Sequence, residues 1–203
     1  MTSRRNVEDE ILDAARACVE AFGVRRTTLT DVARRAGVSR PTVYRRWPDA
    51  DSLVADLLTR EMVALLGGAA REQGGRSARE HLVEQVDSVL RAALAHPLFA
   101  KIVDNEPETL ATYAFQRLGT SQFAVLDLIR PQIEAGQADG SVRAGSPETL
   151  ARIVLLTAQN LATSRRLAED LLDTDGLAAE VRALLHGYLA PGGAAEDAAG
   201  EAR

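Results

Sequence analysis

Residues 25–47 read RRTTLTDVARRAGVSRPTVYRRW, and the punctuation of this stretch decides the fold. Thr28, followed three residues later by Asp31, has the form of an N-cap with an acidic third position. The hydroxyl accepts a free backbone N–H, and the acid favours the positive end of the helix. Val32, Ala33 and Ala36 then supply an inner face until Gly37 ends a short helix. Ser39 is placed to cap the next helix, and Pro41 falls in its first turn, where its missing N–H leaves no helical bond unmade. That helix carries Thr42, Val43, Tyr44, Arg45, Arg46 and Trp47 until Pro48, which disfavours helical geometry at the residue before it. Two short helices around a glycine, with Ala33 four residues ahead of it, form a helix-turn-helix pattern. Ala33 is small where the helices cross, Gly37 takes positive φ in the turn, and Val32, Val38 and Val43 fill the space between.

A helix laid in the DNA major groove presents its N-terminal and exposed side chains to base edges and phosphates. Arg40, Thr42, Tyr44, Arg45 and Arg46 are the right types for that, with guanidinium forks for guanine or phosphate and hydroxyls for phosphate oxygens. Charge agrees once the chain is divided. Net charge is -5 overall, yet residues 1–48 hold ten arginines against six acids, a net of +4, which leaves -9 on the remainder. A basic N-terminal module on an acidic body is the asymmetry expected when one end meets a polyanion.

Outward from this stretch, apolar residues recur at helical spacing and no run alternates with period 2 long enough for a strand, so the fold class is all-α. Val7, Ile11, Ala15, Cys18, Val19 and Phe22 form the stripe of a first helix that Gly23 stops, and Cys18 on it reads as a small core hydrophobe. A fourth helix begins near Asp49 or Asp51 and carries Leu53, Val54, Leu57, Leu58, Met62, Leu65 and Leu66. The glycine pairs bracketing residues 67–75 predict a flexible connection. Further helices are expected over 77–95, 97–104, 107–117, 120–136, 147–164 and 176–189, with about nine helices in total. The expected organisation is a DNA-binding domain over 1–50, a larger helical ligand-binding and dimerisation domain over 51–189, and a disordered tail over 190–203.

Residues 6–66 resemble the N-terminal domain of the TetR family of bacterial transcriptional regulators. The resemblance rests on ILDAARACVEAFG, then RRTTLTDVARRAGVSRPTVYRRW, then a leucine-rich fourth helix. It implies that Thr28 and Ser39 cap the second and third helices at the DNA phosphates, and that Arg40, Pro41 and Thr42 open the recognition helix. It further implies that Tyr44 meets the backbone and that Arg45 and Arg46 read bases or phosphates; Arg5 is counted with these DNA-binding residues. One departure stands out. The family often has a phosphate-binding lysine near the start of helix 4, where this chain has Pro48-Asp49-Ala50-Asp51-Ser52, so that contact comes from backbone N–H groups or is absent.

The resemblance also implies a ligand cavity and a homodimer. The 147–164 helix is apolar nearly all round, through Leu150, Ile153, Val154, Leu155, Leu156 and Leu161, and 176–189 carries Leu177, Val181, Leu184, Leu185 and Tyr188 on one stripe. Packing both against their symmetry mates in a four-helix bundle satisfies both patterns, with Val154, Leu161, Val181, Leu184, Leu185 and Tyr188 as the expected interface. Phe99, Tyr113, Phe115 and Phe123 cluster on the helices that line the cavity in this family, and Gln159 and Asn160 interrupt an apolar run where at least one faces inward. Such a lining suits a mainly apolar small molecule, whereas two of Arg117, Arg130 and Arg152 pointing inward suit an anion.

The resulting expectation is a ligand-responsive regulator, a repressor released from a near-palindromic double-stranded DNA operator. The alternative is a DNA-bound structural or cell-division factor of the same fold without an inducer. An enzyme is not expected: His81, His96 and His186 stand apart in sequence, and there is no nucleophile elbow, Cys/His cluster or glycine-rich phosphate loop. No cofactor or metal is expected, and without an 18-residue apolar run or leader the expected location is cytoplasmic, with no membrane partner.

Overall fold

The computed structural model describes residues 4–69, 76–105 and 119–192. Among these residues it contains nine α-helices, one 3-10 turn and no strand. The helices are α1 (Arg4–Phe22), α2 (Leu29–Ala36), α3 (Arg40–Arg46), α4 (Ala50–Ala69), α5 (Ala78–Ala95), α6 (Pro97–Asn105), α7 (Thr120–Ala138), α8 (Pro147–Thr163) and α9 (Thr174–Leu189), with the 3-10 turn at Arg165–Leu167. The helix expected over 107–117 and the tail beyond 192 lie outside the described residues.

Two of the boundaries that differ from expectation have local causes. Helix α4 runs through Gly67 and Gly68 to Ala69, since two helical glycines cost propensity without breaking the hydrogen-bond ladder; the rest of the expected connection, 70–75, is outside the described residues. Helix α9 begins two residues ahead of Gly176 because the Asp173 side chain accepts the Gly176 N–H at 2.7 Å and caps the helix.

The chain forms two compact units, residues 1–68 with 92–124, and 69–91 with 125–203. The first therefore differs from a module ending at residue 50. Ile11, Ala15, Cys18 and Val19 of α1 share one core with Val32 and Ala33 of α2, Val43, Trp47, then Leu53, Val54 and Leu57 of α4, and also Leu98 and Ile102 of α6. Phe22 departs from the expected stripe: it is the last residue of α1, beyond the end of this core, and is 53% exposed. Cys18 is buried as expected, and desolvation raises its thiol pKa, which keeps it protonated and unreactive.

A polar knot ties the same unit together. Buried Glu61 of α4 accepts Arg16 Nη1 of α1 at 3.1 Å through one oxygen and Arg60 Nη2 at 2.8 Å through the other. His96, just ahead of α6, places Nε2 3.4 Å from the first of these oxygens. His96 thus has a charged neighbour 35 residues earlier in the chain, which its isolation in sequence does not show.

In the second unit, Leu82 and Leu90 of α5, Ile129 and Ile133 of α7, Leu150 and Val154 of α8, and Val181, Leu185 and Leu189 of α9 are buried. Val142 packs so closely on Gly136 that a Cβ there would lie 2.3 Å from a Val142 methyl, so the α7 end admits only glycine. Arg143 then fastens the end of α9: its Nε donates to the Tyr188 carbonyl at 2.9 Å, and its guanidinium lies 4.6 Å from the Tyr188 ring centre.

Candidate nucleic-acid interface

The helix-turn-helix forms by the local signals of its sequence. Thr28 is the N-cap of α2, and its hydroxyl oxygen accepts the Asp31 N–H at 3.1 Å while donating to the Asp31 carboxylate at 2.6 Å. Gly37 takes φ +67°, and its neighbour Val38 returns a backbone N–H to Ala33 at 3.1 Å. Thr27 contributes unannounced: it is buried, and its hydroxyl donates to the Gly23 carbonyl at 2.8 Å, fixing the entry to α2. Ser39 stands at the N-cap position of α3, yet its side chain caps no backbone N–H; its hydroxyl pairs instead with that of Thr42 at 2.8 Å.

Helix α3 is seated by Val43, fully buried, and by Trp47 at its C-terminal end, one turn further on. That seating turns the other faces outward: Arg40, Pro41, Tyr44 and Arg45 are exposed and Thr42 is half-buried. Arg40 and Arg45 make no ion pair among the described residues, so α3 offers two free guanidinium groups, a phenol and the Thr42 hydroxyl to a polyanion.

Arg46 differs. Its Nε donates to Glu8 of α1 at 2.8 Å, its Nη2 lies 3.7 Å from Asp56 of α4, and its guanidinium stands 5.5 Å from the Trp47 ring centre. The hydrogen bond that Arg46 donates to Glu8 is the main cause of a guanidinium pKa raised above its already high ordinary value. The Trp47 indole N–H donates to the same Asp56 carboxylate at 2.9 Å. Arg46, expected as a reader of bases or phosphates, is thus engaged at the surface by long-range partners on α1 and α4 while its side chain stays exposed. Arg5 lies in the first turn of α1.

The N-terminus of α4 carries its own acceptor. Asp49 accepts the Ser52 N–H at 2.8 Å, and this bond lowers its carboxyl pKa. The acid thus takes the Ser52 N–H that a phosphate could otherwise use.

The other predicted residues fall in several places. Val154, Val181 and Leu185 are fully buried inside their own protomer, which corrects their assignment to an intermolecular face. Leu184 is 50% and Ile153 38% exposed, with Leu161 and Tyr188 half-buried, so the outward apolar surface of α8 and α9 is narrower than their stripes. Leu167 and Leu171, between these helices, are 85% and 81% exposed. Phe99 is half-buried with its ring 5.2 Å from His96, Phe123 is exposed, and both belong to the first unit. Gln159 is half-buried and Asn160 exposed in the second unit, so Gln159 is the inward member of that pair. Tyr113, Phe115 and Arg117 lie outside the described residues. Arg130 is exposed, while Arg152 is half-buried with a buried Nε that lacks a hydrogen-bond partner.

Among the described residues no group of three His, Cys, Asp or Glu side chains is placed to hold a metal ion, and no helix is long and apolar enough to cross a membrane.

Residues 11–57 match the family model described as bacterial regulatory proteins, tetR family. An uncharacterized HTH-type transcriptional regulator of Mycobacterium bovis is 39% identical over 186 residues, covering 92% of this chain and 96% of the relative. The HTH-type regulator AqdR of Rhodococcus erythropolis is 45% identical over 53 residues, 26% of each chain. Among solved structures, the R. erythropolis transcriptional repressor QsdR shares the fold with a TM-score of 0.67 at 17% identity, over 95% of this chain and all of that one. The fatty acid degradation regulator FadR of Bacillus halodurans has a TM-score of 0.65 at 18% identity, over 88% and 93% of the two chains.

Proposed function

The chain belongs to the TetR family of DNA-binding bacterial transcriptional regulators, and from that premise we propose that it is a repressor released from a near-palindromic operator by a small, mainly apolar molecule. Members of this family bind DNA operators and act as dimers. The observation that carries the reading is α3, held from behind by Val43 and Trp47 with Arg40, Tyr44 and Arg45 presented outward. The ligand half of the reading rests on the apolar helices of the body and on Gln159, a half-buried polar group of α8.

Selection of bound duplexes from a random pool tests the reading: it should return an inverted repeat, and affinity should fall steeply with salt as arginines displace condensed counterions. Arg45→Ala should cost about 1–3 kcal/mol on that duplex if the lost contact is to a base, and should relax the preference at one position of each half-site. Wild-type affinity from this variant removes Arg45 from the interface. An apolar compound that raises the melting temperature should also release the duplex; compounds that stabilise without releasing it contradict the inducer role.

The dimer is assigned to the outward faces of α8 and α9, around Leu184 and Ile153. Leu184→Asp places a charge on an already exposed position, so folding is spared while association is opposed. In sedimentation it should raise the dimer dissociation constant at least about tenfold. A variant as dimeric as wild type puts the interface elsewhere.

A further inference from the structure

Arg46 occupies the recognition helix, yet its guanidinium is bound by an acid 38 residues earlier in the chain. Glu8 accepts its Nε at 2.8 Å, Asp56 stands 3.7 Å from its Nη2, and the Trp47 ring lies beneath it at 5.5 Å. Asp56 also accepts the Trp47 indole N–H at 2.9 Å, so it is occupied on the protein side and its place is fixed by the core. Arg46 nevertheless keeps 58% of its side chain exposed, and Glu8 40%. The pair is thus at the surface, one hydrogen bond away from releasing a cation beside the two that α3 already presents.

We propose that Glu8 is a specificity-determining residue for DNA binding: it withholds Arg46 from the DNA backbone and leaves the sequence-reading work to Arg40 and Arg45. The inference rests on the reading of α3 as the recognition helix. A guanidinium on a phosphate adds affinity to every sequence alike, whereas a base contact adds it to one. A third free arginine on so short a helix therefore raises binding to all DNA and dilutes the preference for the operator. Two acids on two different helices hold Arg46 in place, which a single helix-surface pair does not achieve. The carboxylate of Glu8 acts through Arg46 and touches no base.

The test is a double-mutant cycle on the full chain with Glu8→Ala, Arg46→Ala and the pair combined, using the duplex recovered by selection and a scrambled duplex of equal length. Glu8→Ala should bind the scrambled duplex severalfold tighter, lower the ratio of specific to scrambled affinity, and steepen the log-affinity against log-salt slope by about one. In the Arg46→Ala background the same change should have much less effect. Glu10→Ala, the loss of an exposed acid on the same helix, controls for simple charge. Equal effects of Glu8→Ala in both backgrounds, or an effect matched by Glu10→Ala, overturn the proposal and leave the DNA-binding reading intact. A wild-type chain that binds neither duplex overturns that reading and this inference with it. Alanine is the strongest helix former, and melting curves on each variant confirm that folded protein is compared.

Discussion

Trp47→Ala should destabilise the unit that carries the helix-turn-helix by about 3–5 kcal/mol, the range for removing a large aromatic side chain from a packed core. Trp47 is 2% exposed and is the largest of the fully buried side chains. Its backbone N–H closes α3 on Val43 at 2.9 Å, and its indole N–H donates to Asp56 at 2.9 Å. Alanine would leave a cavity where α3 meets α4 and would strip the half-buried Asp56 carboxylate of a donor, two costs with one cause. Trp47→Phe fills most of the space and loses only the donor, so its cost should be nearer about 1–2 kcal/mol. Urea unfolding followed by far-UV circular dichroism gives both values. Because Trp47 is the chain's one tryptophan, the red shift of its emission reports wild-type unfolding of this site directly. A Trp47→Ala loss below about 1 kcal/mol contradicts the seating of α3 described above.

The helix-turn-helix was legible because its determinants are local. A cap and its partner lie three residues apart at Thr28 and Asp31, the turn needs one glycine at positive φ, and Pro41 and Pro48 bound α3 by backbone geometry alone. The alternation of buried Val43 and Trp47 with exposed Tyr44 and Arg45 follows from 3.6 residues per turn once one of them is known to face inward. Family membership for the chain as a whole rests on the 39% identity to the mycobacterial regulator.

What stayed hidden depends on partners distant in sequence. Arg46 has the composition of a reader and the geometry of an anchor, and the difference is made by Glu8 on α1 and Asp56 on α4. Stripe logic failed for a related reason at α9: Leu184 and Leu185 both fit one apolar face, but a helix packed on one side buries only an arc, and Leu185 lies inside it while Leu184 does not. Asp173 was missed because Gly176 is the more conspicuous signal, although the carboxylate three residues earlier is what starts the helix. The pocket residues were the least legible, since aromatic clustering is equally a property of cores and of cavities.

Glu61 is the clearest case of a long-range determinant, and its removal should be the second large effect. Three side chains meet at this carboxylate, Arg16 at 3.1 Å, the adjacent Arg60 at 2.8 Å and His96 at 3.4 Å. Glu61 keeps 8% of its side-chain exposure, so it has little water to return to, whereas Arg16 keeps 36% and Arg60 26%. Deleting the buried partner leaves Arg16 to Glu20 and Arg60 to the exposed Asp13, and takes from both the acid that lies in the core. Deleting an outer partner leaves Glu61 still neutralised by the remaining one, and Arg16 has Glu20 at 2.8 Å as a second acceptor. Glu61→Ala should therefore cost about 2–3 kcal/mol, below the usual range for fully buried pairs because its partners are partly hydrated, and Arg16→Ala only about 0–1 kcal/mol. Added salt should change the Glu61→Ala cost little, since buried pairs are weakly screened. Urea titrations of both variants at low and high salt measure this asymmetry. Equal costs for the two, or a Glu61 cost that vanishes in salt, show that the knot is a set of surface pairs rather than the bolt between α1, α4 and the residue that leads into α6.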